Sequence, residues 1–195
     1  MSPAPELQSK FMEFMVERNR PRMDGFKRWV FHPGMLFKAP GKWWGDQGAR
    51  YAPHEGLDLY RFEDAGGITK TVDQHTQIPA AFAGRIVKID QDFLGRSIYM
   101  SHAIFTPGGR QLLSAFGHTI PREGLRPGLS VAAGEIIATI SGFPGKKTAL
   151  APHLHLTFAW VPVHLALDQL DWKNLADDPG ITLIDPRPVI SRFAC

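Results

Sequence analysis

Between Tyr51 and Val161 little of the chain has a helical apolar repeat; it breaks into short runs rich in β-branched and aromatic residues. Each run is bounded by Gly, Pro or Asp, which is how short strands are punctuated. Leu57 to Phe62, Arg85 to Ile89, Ser97 to His102, Arg110 to His118, Glu135 to Ile140 and His153 to Val161 are the predicted strands. Several short strands closed by glycine turns point to a mostly β fold, an antiparallel sandwich or barrel-like sheet.

Outside that stretch, Pro5 to Arg20 carries Phe11, Met12, Met15 and Val16 at helical spacing, and Pro21 marks its end. It reads as an amphipathic N-terminal helix leaning on the main body. Trp29 to Arg50 is dense in aromatics, Gly and Pro, and its Trp43-Trp44 pair either plugs a core edge or lines a groove. Residues 1–42 are therefore a helix with an aromatic loop segment, and residues 43–195 the main domain. Leu165 to Asp178 includes a helical turn, and Ile181 to Ile190 is apolar and extended around Pro186 and Pro188.

At 195 residues the chain is long enough to bury a core. Its net charge of +3 comes from scattered basic residues. That is no footprint for nucleic acid, although a mildly basic surface suits an anionic polymer. Cys195 is the only cysteine, so no intrachain disulfide and no cysteine-based zinc site is expected. No segment is apolar and long enough to span a membrane. Met1 to Lys10 is polar and proline-bearing, without the pattern of a secretory signal. Nothing in the sequence sets an oligomeric state.

The chemistry-bearing residues lie in two motifs about a hundred residues apart. In a strand over Ala151 to Trp160, Leu154, Leu156, Phe158 and Trp160 point one way, and His153 and His155 the other. Two imidazoles roughly 6.6 Å apart on one face can share a metal site, one as ligand and one beside it. Partners occur in Pro53-His54-Glu55-Gly56-Leu57-Asp58. In a straight strand His54 and Asp58 would stand roughly 13 Å apart, too far for one ion. Gly56 between them permits a bend and leaves a face empty. Two imidazoles and a carboxylate suit zinc, and three ligands leave a position open for water, as in catalytic sites. His118, ending the run Ser114 to His118, offers a proton acceptor.

His54-Glu55-Gly56-Leu57-Asp58, then Phe116-Gly117-His118, then Pro152-His153-Leu154-His155 resemble, in this order, the LytM/lysostaphin-type M23 metallopeptidase family. Ala83 to Val87 and Leu129 to Ile137 resemble that family's intervening strands, and the likeness runs from about Trp43 to Ile190. The resemblance implies an antiparallel β core with an open groove. It implies one zinc per chain held by His54, Asp58 and His155, with His118 and His153 acting on the metal-bound water and the tetrahedral intermediate. The implied substrate is a peptide bond of peptidoglycan, in a stem peptide or cross-bridge, or another glycine-containing peptide. The chain departs from the family in placing Phe116 where a tyrosine is usual. It also has no asparagine between Arg22 and Tyr51 to occlude the zinc, a place that Asp46 or Gln47 is able to take. Family members are usually exported, which implies the cell envelope or the exterior; the polar N-terminus leaves a cytoplasmic location open.

Two functional classes follow: a zinc endopeptidase, or a non-catalytic LytM-like module that binds the wall or regulates another wall hydrolase. Intact residues at all five positions favour the enzyme. A phosphocarrier using two histidines would leave Asp58 without a role.

Overall fold

The computed structural model of the chain describes residues 5–142 and 150–190. Cys195 and the first four residues of the polar N-terminal stretch lie outside the described residues. Helix α1 spans Phe11–Arg18, shorter than the sequence pattern suggests, and buries Phe11, Met12 and Met15. Burying three such side chains contributes about 1.5–3 kcal/mol each. Buried Asn19 finishes the helix: its Nδ2 donates to Met15 O at 2.8 Å and Gln77 O at 2.9 Å, and its Oδ1 accepts from Gln77 N at 2.7 Å. One amide side chain thus satisfies a helix end and ties it to a strand.

Strand β1 (Phe26–Val30) follows, then a 3-10 turn at Pro33–Met35. The Trp29 to Arg50 stretch, loop-like by composition, therefore begins inside a strand. Next come β2 (Leu57–Leu59), β3 (Arg61–Asp64), β4 (Thr69–Thr71), β5 (Gln77–Pro79) and β6 (Gly84–Gln91). They are followed by β7 (Arg96–Phe105), β8 (Arg110–Pro121), β9 (Ser130–Val131), β10 (Ile136–Ile140) and β11 (Leu154–Pro162). A second 3-10 turn at Leu167–Gln169, helix α2 (Trp172–Asp177), β12 (Thr182–Ile184) and helix α3 (Pro186–Ile190) complete the order.

The architecture is mostly antiparallel β with an N-terminal helix. The large sheet runs β12-β11-β8-β7-β6-β9, with β2 added on β11 and the β5–β10 pair joined to the end of β8. A small sheet has the order β1-β3-β4. The predicted strand Leu57 to Phe62 divides at Tyr60, because Leu57–Leu59 pairs with β11 and Arg61–Asp64 pairs with β1. The extended reading of Ile181 to Ile190 holds only for Thr182–Ile184; Pro186 then opens a helical turn, where a missing N–H costs nothing.

The alternation of β11 separates two apolar clusters. Leu154, Leu156, Phe158 and Trp160 join the main core with Phe11, Met15 and Phe116. Ala159 and Val161 join a smaller cluster with Tyr99, Leu113 and Leu175. His155 and Thr157 share the face of that smaller cluster, and both are buried. Among the described residues no helix is long and apolar enough to cross a membrane.

Candidate active site

Strand register alone brings the motifs together. On β11, His155 stands opposite Asp58 of β2 on one side and Gly117 of β8 on the other. The residue after Gly117 is His118, so three motifs scattered over a hundred residues meet at one position. His54 precedes β2 and is pinned through its backbone: His54 N donates to Ala39 O at 3.1 Å, and Lys38 N donates to His54 O at 2.7 Å. Gly56 makes the close approach to β11 possible. A Cβ there would lie 2.4 Å from Thr157 Oγ1, 2.5 Å from Leu156 O and 2.8 Å from His155 Nε2.

His54 Nε2, Asp58 Oδ1 and His155 Nδ1 form a compact triangle. The edges are 3.2 Å from His54 to Asp58, 2.9 Å from Asp58 to His155 and 3.1 Å between the histidines. The carbonyl behind His54 assigns its tautomer. His54 Nδ1–H donates to Leu36 O at 3.0 Å, and His155 Nε2 meets Thr157 Oγ1, a hydroxyl able to accept its proton, at 3.1 Å. His54 Nε2 therefore keeps a lone pair, and so does His155 Nδ1 when its Nε2–H is given to Thr157; both face a carboxylate oxygen. In that protonation state three acceptors converge, an arrangement that a cation between them stabilises. These residues form a group able to hold a metal ion. Ligands about 2.0–2.2 Å from one tetrahedral zinc stand about 3.3–3.6 Å apart. Small outward movements of these donors reach that spacing, so the donor set fits the ion.

Contacts behind the donors orient them, as outer partners of metal ligands do. Asp58 Oδ2 accepts from Trp43 Nε1 at 2.6 Å and lies 3.6 Å from Arg50 Nη2, which leaves Oδ1 to the imidazoles. Burial pushes the Asp58 carboxyl up, but its interactions with His153, His54 and His155 outweigh it and hold it well below the usual range. Burial lowers the pKa of His155 despite the attraction of Asp58. It lowers His153 to about 4, against the raising effects of Asp58 and of the Ala151 carbonyl. Both rings are therefore neutral near pH 7, the state in which an imidazole nitrogen binds metal or accepts a proton.

His153 and His118 flank the triangle. His153 Nδ1–H donates to Ala151 O at 2.8 Å, and its Nε2 stands 3.6 Å from Asp58 Oδ1. The His118 ring is 4.9 Å from that of His153 and 5.9 Å from that of His155. All five residues singled out in the sequence line one cleft of about 240 Å³, together with Trp44, Arg50, Phe93 and Trp172. Asp46 and Gln47 are not among its lining; Asp46 is exposed and pairs with Lys42 at 2.6 Å. The Trp43-Trp44 pair serves both roles left open by composition. Each packs on Leu94 and Leu150, while Trp44 lines the cleft and Trp43 meets His153 edge-on at 5.1 Å.

Several cleft residues went unseen in the sequence. Trp172 arrives from α2, whose start is fixed by the Asp171–Asn174 capping box, and meets the His155 ring edge-on at 4.7 Å. Gly117 makes room for it, since a Cβ there would lie 2.9 Å from Trp172 Cζ2. Asp92 sits in the turn after β6 and contacts His118. The Asp171-x-x-Asn174 spacing signals a helix start but not where the tryptophan goes.

Among solved structures, the chain is similar to LytU at 20% identity, over 83% of this chain and 89% of that one, with a TM-score of 0.48. It is similar to the catalytic domain of the antimicrobial peptidase lysostaphin from Staphylococcus simulans at 17% identity, over 84% and 86%, with a TM-score of 0.41. No curated protein matches. The model of peptidase family M23 matches residues 63–166. That stretch, more than half the chain, carries His118, His153 and His155; β11 pairing brings Asp58 to it from just outside, and His54 precedes the same strand. With that match, and with the strand register that assembles its motifs, the chain belongs to peptidase family M23.

Proposed function

We propose that this chain is a zinc endopeptidase that hydrolyses peptide bonds in peptidoglycan stem peptides or cross-bridges. The observation that carries the reading is the convergence of one ligand atom each from His54, Asp58 and His155 beside two further histidines. One zinc per chain suits that donor set. When bound there, zinc acidifies a water towards a pKa of about 7 and polarises a carbonyl.

The chain's own residues supply the rest. Trp44, Phe93 and Trp172 wall the cleft and seat an extended peptide while limiting water. His153, with its proton on Nδ1, offers an Nε2 lone pair that accepts a hydrogen bond and orients the attacking water. This replaces the oxyanion-donor role one of the two histidines is expected to have, because a neutral Nδ1–H ring has no proton on Nε2 to give. His118 has the Asp92 carboxylate beside it to balance an imidazolium, so His118 takes the proton on Nε2 and returns it to the leaving amine. The mildly basic balance suits an anionic wall polymer. Action on peptidoglycan places the protein in the cell envelope or outside the cell.

The test is clearing of purified peptidoglycan, and cleavage of a short glycine-rich peptide, with chelator and after zinc is restored. Cleavage abolished by chelator and recovered with zinc is the expected result. Zinc-loaded protein that cleaves neither substrate would refute the reading and favour a wall-binding module.

A further inference from the structure

We propose that Asp92 is the positioning residue of His118, fixing both its backbone and its tautomer, and that it is more than a staple of its own turn. The inference rests on the reading above in one respect, that His118 carries the proton during hydrolysis.

The Asp92 side chain is 2 % exposed and accepts more hydrogen bonds than a turn requires. Oδ1 takes Leu94 N at 2.8 Å and Gly95 N at 2.6 Å, which already closes the turn between β6 and β7. Oδ2 is left for other partners: it accepts His118 N at 2.8 Å and Ser97 Oγ at 2.7 Å. His118 Nδ1 faces Oδ1 at 3.3 Å, the long end for such a bond and usual where substrate is absent.

The backbone of His118 supports the same assignment. Its φ is +62°, a left-handed conformation that a residue with a Cβ seldom adopts and that costs of order 1 kcal/mol or more. The strain is held from both sides, by Asp92 on the N–H and by Ser141 N, which donates to His118 O at 2.8 Å. A histidine held in this way has its ring direction set by Asp92. With Nδ1–H given to the carboxylate, the lone pair is fixed on Nε2, the state a proton acceptor needs. Ser97 extends the chain: it donates to Asp92 and accepts Trp172 Nε1–H at 2.7 Å, so a cleft wall is tied to the same carboxylate.

The test begins with the wild-type protein, zinc added, using ¹⁵N spectra of its imidazoles with His118 assigned by its loss in His118→Gln. The protonated nitrogen of His118 is expected to be Nδ1; protonation on Nε2 alone would overturn the proposal without any Asp92 variant. Asp92→Ala comes next, since it removes the acceptor that holds the proton on Nδ1 and leaves it free to pass to Nε2; an asparagine would set its NH₂ against Leu94 N and Gly95 N or against His118 N. That variant is expected to keep its zinc and its KM, to show the altered tautomer, and to lose about 10²–10⁴-fold in kcat. A variant with lowered thermal stability but an unchanged tautomer and kcat within about threefold would reduce Asp92 to a turn staple and refute the proposal. Wild-type protein that cleaves no wall substrate would sink the peptidase reading, while the spectra still decide the Asp92–His118 pairing.

Discussion

Replacing Gly56 by alanine tests whether strand packing builds the site. The added Cβ would stand 2.4 Å from Thr157 Oγ1 and 2.5 Å from Leu156 O, each about an ångström inside ordinary contact. The hydroxyl can rotate away, but the carbonyl belongs to β11 and moves only if β2 moves with it. Overpacking of this kind costs about 1–3 kcal/mol. Turning Thr157 aside also removes the hydrogen-bond partner of His155 Nε2, worth roughly 1 kcal/mol. The sum of about 2–4 kcal/mol corresponds to a fall of roughly 4–16 °C in Tm for a chain of this size. Parting β2 from β11 separates Asp58 from His155, so zinc affinity falls as well. Thermal unfolding by circular dichroism and zinc content of the purified variant read both effects. Gly108→Ala is the control, because the nearest atom to its Cβ is 3.8 Å away; it stays within about 0.5 kcal/mol of wild type. Gly56→Ala that melts within a degree of wild type and keeps its zinc would refute the packing argument.

His118→Ala and His153→Ala should each keep zinc, since neither is in the donor triangle, yet each should lower kcat by about 10²-fold or more. Equal turnover by wild type and both variants in a peptidoglycan assay would remove the roles given to them. His102 gives a pH prediction away from the cleft. Its Nδ1–H donates to Ala83 O and its Nε2 meets Ser114 Oγ at 2.8 Å, and burial lowers its pKa despite the hydrogen bond to Ala83. The unfolded chain therefore takes up this proton first; the contribution to stability is full above a pH of about 6.5 and is lost as the pH falls through the lowered folded-state value. Urea unfolding at pH 7.5 and pH 5 should show a smaller loss for His102→Asn than for wild type; equal losses would contradict it.

The strand pattern was legible because it depends on short-range spacing, and the five candidate residues that line one cleft were picked out by local motifs and by the order of those motifs in the chain. Period-two alternation from Leu154 to Trp160 set the core face of β11, and a register fixed by a buried face leaves little choice of partner. What the sequence hid were partnerships over long separations. Tyr60 carries no mark that the chain changes sheets there, since Leu57–Leu59 and Arg61–Asp64 are equally strand-like. Asp92 and His118 are 26 residues apart, and a left-handed histidine has no signature in composition. Trp172 follows a helix-start signal, but its seat on Gly117 and His155 depends on how α2 packs. Gly56 was visible as a necessary glycine for a partly different reason: its φ is not left-handed, and the need is for space against β11.

Zinc stoichiometry of the purified wild type and of Asp58→Ala, by elemental analysis after dialysis against a weak chelator, tests the central claim most directly. Asp58 supplies the only carboxylate oxygen in the triangle, so its loss leaves two imidazoles around a dication and one fewer ligand. The predicted result is one zinc per chain in wild type and a sharp loss in the variant. Full occupancy in Asp58→Ala, or no zinc bound by wild type, would contradict the account.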